Sequence, residues 1–163
     1  MITHQFSKAS IYISVWGVVD CINTCDALAF NFPSLQDQEI IRQGYKQKSG
    51  IGLSNIIGAI DGMLIWIKKP SLTVVDKLRC GQINFYCSRK AKYGLNLQAI
   101  CDHNLEFRWI DIRYPGCASD YIAWNTSQLC VDLDYHCDRM VLSGCKLVGD
   151  SAYVKKKVYG CSY

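Results

Sequence analysis

Ile57-Gly58-Ala59-Ile60-Asp61-Gly62, continuing through Met63-Leu64-Ile65-Trp66-Ile67, places one carboxylate inside an apolar run. The length and β-branched content of the run predict a buried strand. An ionised Asp in such a strand is costly to desolvate unless a turn, a basic side chain or a metal ion compensates it. Asp61-Gly62 between apolar runs is also a good two-residue hairpin turn. The choice between an unbroken strand and a turn decides the fold, and the compensating group decides the function.

Outward from this stretch the texture differs on the two sides. Toward the N-terminus, Ile11, Val15, Val18 and Ile22 have helical spacing, predicting an amphipathic helix over residues 10 to 24. Phe32-Pro33 breaks the chain, and Ser34 offers an N-cap for a helix from about Leu35 to Lys48, ended by Ser49-Gly50. Arg42, Lys46 and Lys48 toward its end suit the helix dipole. Residues 1–50 are therefore expected to form a helical lead-in, and residues 51–163 the main domain. Toward the C-terminus, Lys68-Lys69-Pro70 closes the strand. Arg89, Lys90 and Lys92 form the densest basic cluster before Lys155-Lys156-Lys157. Leu95-Asn96-Leu97-Gln98-Ala99 alternates, with Cys101 continuing its apolar face. Asp102-His103-Asn104 is turn chemistry, and Phe107 to Ile112 returns, so a hairpin is expected. A helix from Tyr121 to about Leu129, a loose stretch carrying Asp132, Asp134 and Asp138, and a short strand at 146–149 complete the pattern. This order predicts an α/β fold with a mixed sheet flanked by helices.

Composition bounds the class. At 163 residues the chain is long enough for one sizeable core, and with half its residues hydrophobic and 20% charged it is globular rather than disordered. A net charge of +4 tilts mildly toward anionic partners without demonstrating them. Ten cysteines raise a disulfide scaffold, but their spacing is irregular, several lie inside apolar runs, and no Cys-x-x-Cys occurs. Reduced thiols in the interior are the expectation. Lys8 followed by Ala9 to Val19 has the outline of a signal peptide, against which Asp20, Asn23 and Asp26 count. No apolar stretch reaches the length that a membrane-spanning helix needs.

Three aspartates share a setting at the end of an apolar element beside Gly or a turn: Asp61, Asp120 and Asp150. Magnesium and manganese prefer carboxylate and water oxygens, commonly one or two protein carboxylates per ion. Two such ions about 4 Å apart can activate water against a phosphodiester. Each Asp also has an ordinary reading: Asp61 as a turn, Asp120 as a helix N-cap, and Asp150 with Ser151 as a cap or turn. Asp102 reads as a turn residue. Asp132, Asp134 and Asp138 read as a solvated loop, lacking the glycine and final Glu of a calcium loop. His103 and His136 stand apart from any nucleophile arrangement. Arg89, Lys90 and Lys92 are candidates for anion contact, whereas Lys155 to Lys157 reads as a solvated run.

Together, GAIDG at 58–62, SRKAKYGLNLQAICDHN at 88–104, PGCASD at 115–120 and LVGDSAY at 147–153 resemble the PIF/Harbinger transposases. The resemblance extends to their domesticated relatives, the Harbinger transposase-derived nucleases of the DDE superfamily. It covers about Phe32 to Tyr153, with four blocks in the family's order. It implies an RNase H-like core, with the strand of Asp61 beside the strand ending at Asp150. It implies catalytic roles for Asp61 and Asp150, a divalent-metal ligand set (Mg2+ or Mn2+) of Asp61, Asp120 and Asp150, and DNA contact by Arg89, Lys90 and Lys92. DNA as substrate, a Myb-like DNA-binding partner, and a nuclear location with a cytoplasmic pool follow from the same resemblance.

The sequence departs from the family in three places. Met63 and Leu64 stand where the family has Thr and His. The family's last acidic ligand, a Glu on a helix downstream of the GDSAY block, has no counterpart before Tyr163, and the upstream helix-turn-helix region is largely missing. The expectation is a core truncated at its C-terminal end, either an incomplete nuclease or a catalytically inactive remnant that binds nucleic acid or protein.

Overall fold

The computed structural model describes residues 7–50 and 52–153. Lys155, Lys156 and Lys157 lie outside the described residues. The chain divides into two compact units, Met1–Asn31 and Phe32–Tyr163.

In the first unit, α1 (Lys8–Asn23) starts at Ser7, whose hydroxyl accepts the Ser10 backbone N–H at 3.0 Å. The helix expected from the 11, 15, 18, 22 spacing is present. Its apolar residues are not confined to that stripe: Tyr12, Ile13 and Trp16 are apolar too, and no residue of α1 is buried. A single 3-10 turn, Asp26–Leu28, follows.

The second unit opens with α2 (Leu35–Lys48). Ser34 and Asp37 form the reciprocal cap: the Ser34 hydroxyl accepts the Asp37 N–H, and the Asp37 carboxylate accepts the Ser34 N–H. Ile41 and Gln38 of α2 are buried. The Gln38 amide donates to the carbonyls of Pro33 and Met140 and accepts from the Leu142 N–H, so one side chain joins segments a hundred residues apart.

The decisive stretch is a single strand. β1 (Ile56–Trp66) runs unbroken through Asp61-Gly62, which excludes the turn reading. A short helix, α3 (Leu72–Lys77), and a two-residue strand, β2 (Tyr86–Cys87), lead to β3 (Lys92–Cys101) and β4 (Phe107–Pro115). α4 (Asp120–Asn125) and α5 (Gln128–Met140) then carry the chain to β5 (Lys146–Val148). The sheet order is β2-β3-β1-β5, with β4 also on β3; β1 and β3 are antiparallel, as are β3 and β4, whereas β5 is parallel to β1. A parallel neighbour needs a crossover, which α4 and α5 supply. Ile60, Ile100, Trp124, Leu129, Leu133 and Leu147 form the core between the sheet and these helices. This is an α/β fold with a mixed, curled sheet flanked by helices, consistent with the RNase H-like arrangement.

Two local expectations are corrected. The single helix expected from Tyr121 is two helices, separated where the Ser127 hydroxyl caps α5 by accepting the Cys130 N–H. The loose stretch with Asp132, Asp134 and Asp138 is the body of α5. Leu129, Cys130 and Leu133 supply a buried stripe at helical spacing, which the interleaved aspartates obscure. Among the described residues Cys87, Cys130 and Cys145 are buried. No helix of the described residues is long and apolar enough to cross a membrane.

Candidate functional site

β1 and β5 set the first part of the site. Their parallel register pairs Ala59 with Val148. Asp61 follows Ala59 by two residues along β1, and Asp150 follows Val148 by two residues, just past the end of β5. Both aspartates are exposed. The Asp61 carboxylate accepts its neighbour Gly62 N–H at 2.7 Å, and Asp150 accepts the Ala152 N–H at 2.8 Å, each through Oδ1. Among the described residues, neither Oδ2 meets a hydrogen-bond donor or a cation. The carboxylate at the centre of the apolar run is thus compensated by exposure rather than by a turn or a basic partner.

Asp120 occupies the other side of the sheet. Alternation along β1 turns Gly62 away from the face of Asp61. A Cβ at Gly62 would stand 2.3 Å from Asp120 Oδ1 and 2.7 Å from Gln98 Nε2, so only glycine lets the carboxylate lie on the strand. Asp120 is not the N-cap of α4; Ser119 takes that role, its hydroxyl accepting the Ile122 N–H. Asp120 Oδ1 instead accepts the amides of Asn96 and Gln98, each at 3.0 Å. Arg89 approaches Asp120 Oδ2 at 3.8 Å. Among the described residues, no three His, Cys, Asp or Glu side chains gather closely enough to hold a metal ion.

Gln98 is the joint of this arrangement. It is fully buried; its Nε2 donates to Asn96 Oδ1 at 2.6 Å as well as to Asp120, while its Oε1 accepts the Tyr153 hydroxyl at 2.7 Å. Both ends of the amide are therefore satisfied in one orientation, as a buried polar group requires. The Tyr153 ring lies against Gly149, where a Cβ would meet it at 2.8 Å. Burial pushes the Tyr153 phenol up, and the negative charges of Asp120, Asp61 and Asp150 add to this. All three aspartates act on one phenol although they face different sides of the sheet.

Asn96, Gln98 and Tyr153 escape sequence reasoning. Asn96 and Gln98 read as the polar side of an alternating strand, yet they are buried while Leu95 and Leu97 are only half-buried. The available signal is their place inside a strand of the main sheet, two residues apart on one face.

The basic cluster divides. Arg89 and Lys90 lie on the 3-10 turn Ser88–Lys90, both exposed. Arg89 lines a cleft of about 340 Å³ together with Cys87, Gly116, Ser119, Asp120 and Ala152. Lys92 begins β3, and its ammonium sits 3.2 Å from the centre of the Trp66 ring.

An RNase H-like sheet with one aspartate inside β1, a second just past the end of the neighbouring β5 and a third against the sheet fits a nuclease-type core. The DDE superfamily endonuclease model matches residues 60–163, a span that includes Asp61, Asp120 and Asp150. The chain belongs to the DDE superfamily endonucleases. No curated protein and no solved structure matches it.

Proposed function

We propose that this chain is the divalent-metal-dependent nuclease core of a Harbinger transposase-derived protein, hydrolysing DNA phosphodiester bonds. The observation that carries this reading is the pair Asp61, on β1, and Asp150, two residues past the parallel β5, in a chain of this superfamily. DDE endonucleases are in general divalent-metal dependent, and a nuclease domain of this family acts on DNA. The donor set fits such an ion: two exposed carboxylates, each with one oxygen held by a backbone N–H and one left for a ligand. When bound, Mg2+ or Mn2+ would lower the pKa of a water and neutralise charge on the phosphoryl oxygens.

The rest of the work falls to the chain. Asp61 and Asp150 supply the negative oxygens, and the backbone N–H groups of Gly62 and Ala152 fix their rotamers. Of the implied set Asp61, Asp120 and Asp150, Asp120 already holds two amides and supports the site as a positioning group. Tyr153, with its phenol held protonated, links the Asp150 turn to Gln98 and through it to Asp120. Arg89, Lys90 and Lys92 attract the phosphate backbone toward the cleft. On this reading the protein is nuclear, with a cytoplasmic pool, and works beside a Myb-like DNA-binding partner.

The test is titration of Mn2+ into the purified chain by calorimetry, beside nicking of supercoiled plasmid in Mg2+ or Mn2+. Ion binding that disappears in both Asp61→Asn and Asp150→Asn but persists in Asp120→Asn is expected. Unchanged Mn2+ binding in Asp61→Asn would sink the assignment.

A further inference from the structure

We infer that Trp66 and Lys92 form a stacking subsite for an unpaired nucleobase at the outer end of the Asp120 cleft. The inference rests on the reading of DNA as substrate and narrows it to a strand with unpaired bases.

Gly62, Leu64 and Trp66 share one face of β1, by alternation and by contact: Gly62 underlies Asp120, and Leu64 lies over Gly94 and Gly116. Trp66 pairs with Gly94 across the sheet, Lys92 pairs with Cys87, and the Gly116 N–H donates to the Gly94 carbonyl at 2.9 Å. Cys87 and Gly116 line the cleft that ends at Asp120. The Trp66–Lys92 pair therefore adjoins the cleft through Cys87, the strand partner of Lys92, and Asp120 lines the same cleft. Four residues of strand separate Gly62 from Trp66, roughly 13 Å. At about 3.4 Å per nucleotide this is the length of some four stacked nucleotides.

The chemistry of the pair selects the occupant. Trp66 is 63% exposed, unusual for an indole in the main sheet of a core this size. The Lys92 ammonium sits over the ring, and at this exposure a large part of the indole is open. A duplex hides the flat faces of its bases in its own stack and offers the protein only edges, sugars and phosphates. An unpaired base presents the apolar face that an indole covers, and such stacking is sequence-tolerant. Among the described residues Lys92 and Lys90 enter no ion pair with an acidic side chain, leaving both charges for the phosphates flanking the stacked base. Lys92 thus has two roles on one stem: it orients the ring in the free protein and meets a phosphate in the complex.

The experiment measures fluorescence anisotropy of the full chain in Ca2+ with two labelled probes. One is a blunt 20-base-pair duplex, and the other is the same duplex with a four-nucleotide 3′ tail. The tailed probe should bind about tenfold tighter. Trp66→Ala should erase that preference while leaving blunt-duplex affinity within twofold, and Trp66→Phe should keep most of it. Lys92→Ala should weaken both probes and lower the salt slope by about one. Equal affinity of the wild type for the two probes overturns the subsite but leaves the DNA reading standing. No affinity for either probe overturns both. Equal loss on both probes in Trp66→Ala, or a change of oligomeric state in that variant, assigns Trp66 to folding or to a protein contact and overturns the subsite.

Discussion

Asp61, inside β1, and Asp102, in the turn that follows β3, are treated in opposite ways. The Asp102 side chain is fully buried and saturated: it accepts the N–H groups of Asn104 and Glu106 and pairs with the Arg108 guanidinium at 2.6 Å. Burial pushes its carboxyl up, but Arg108 and the two backbone donors outweigh burial and hold it below the usual range. Asp61 is exposed, has no basic partner among the described residues, and accepts only the next N–H in the chain. A carboxylate whose every lone pair is used serves the fold. One left exposed with an oxygen to spare has room for a ligand.

The contrast breaks most sharply under substitution. Asp61→Asn should reduce metal-dependent cleavage by more than a thousandfold, the scale of removing a group that acts on the transition state. Its melting temperature should stay within a degree or two. A plasmid-nicking assay beside a thermal melt checks both, and a large loss of stability would place Asp61 with Asp102.

Asp102→Ala should do the reverse. Leaving Arg108 without its buried partner should cost about 3 kcal/mol, visible as a shifted urea midpoint at unchanged slope. The effect is kept at the low end of buried pairs because a third of Arg108 remains in water.

Acid sharpens the same point. A carboxyl held low in the folded state adds stability that is fully present above its unfolded value of about 3.9 and is lost as pH falls through the folded value. Asp102 and Asp111, the latter paired with Arg113, both belong to this class, with burial again opposed and outweighed by the guanidinium and backbone N–H. Wild-type stability should therefore fall more steeply below about pH 4 than that of Asp102→Asn, measured by urea unfolding across pH 2.5 to 6.

The smallest effect is at Gly62. Gly62→Ala drives a methyl into Asp120 and Gln98, side chains that can yield, so about 1–2 kcal/mol of destabilisation is expected. If Asp120 only supports the site, cleavage should drop several-fold rather than disappear. Complete loss would make Asp120 a ligand.

Much was legible before the fold was known. The cap at Ser34, the strand around Asp61, the 95–112 hairpin and the strand before Asp150 all announce themselves through period and turn chemistry. Four ordered motif blocks pointed to the DDE superfamily, which the family match bears out. The misreadings have physical causes. Asp132, Asp134 and Asp138 masked a helix because their charge interrupts the sequence of α5, where Leu129, Cys130 and Leu133 mark the buried side. The break falls in the short polar stretch Asn125-Thr126-Ser127-Gln128 between apolar residues at helical spacing on both sides, which reads as the solvent face of one helix.

What the sequence determined by itself is local: where backbone hydrogen bonds run along the chain, and which residues have apolar or turn character, because these depend on near neighbours. What only the tertiary structure decided is which polar residues face inward. Asn96 and Gln98 look like the wet side of a strand until α4 brings Asp120 and the GDSAY turn brings Tyr153 onto that face. Likewise, Asp61 reads as a buried charge until the sheet leaves its edge open. Burial is set by packing between distant segments, and no local pattern encodes which face of a strand another segment will cover.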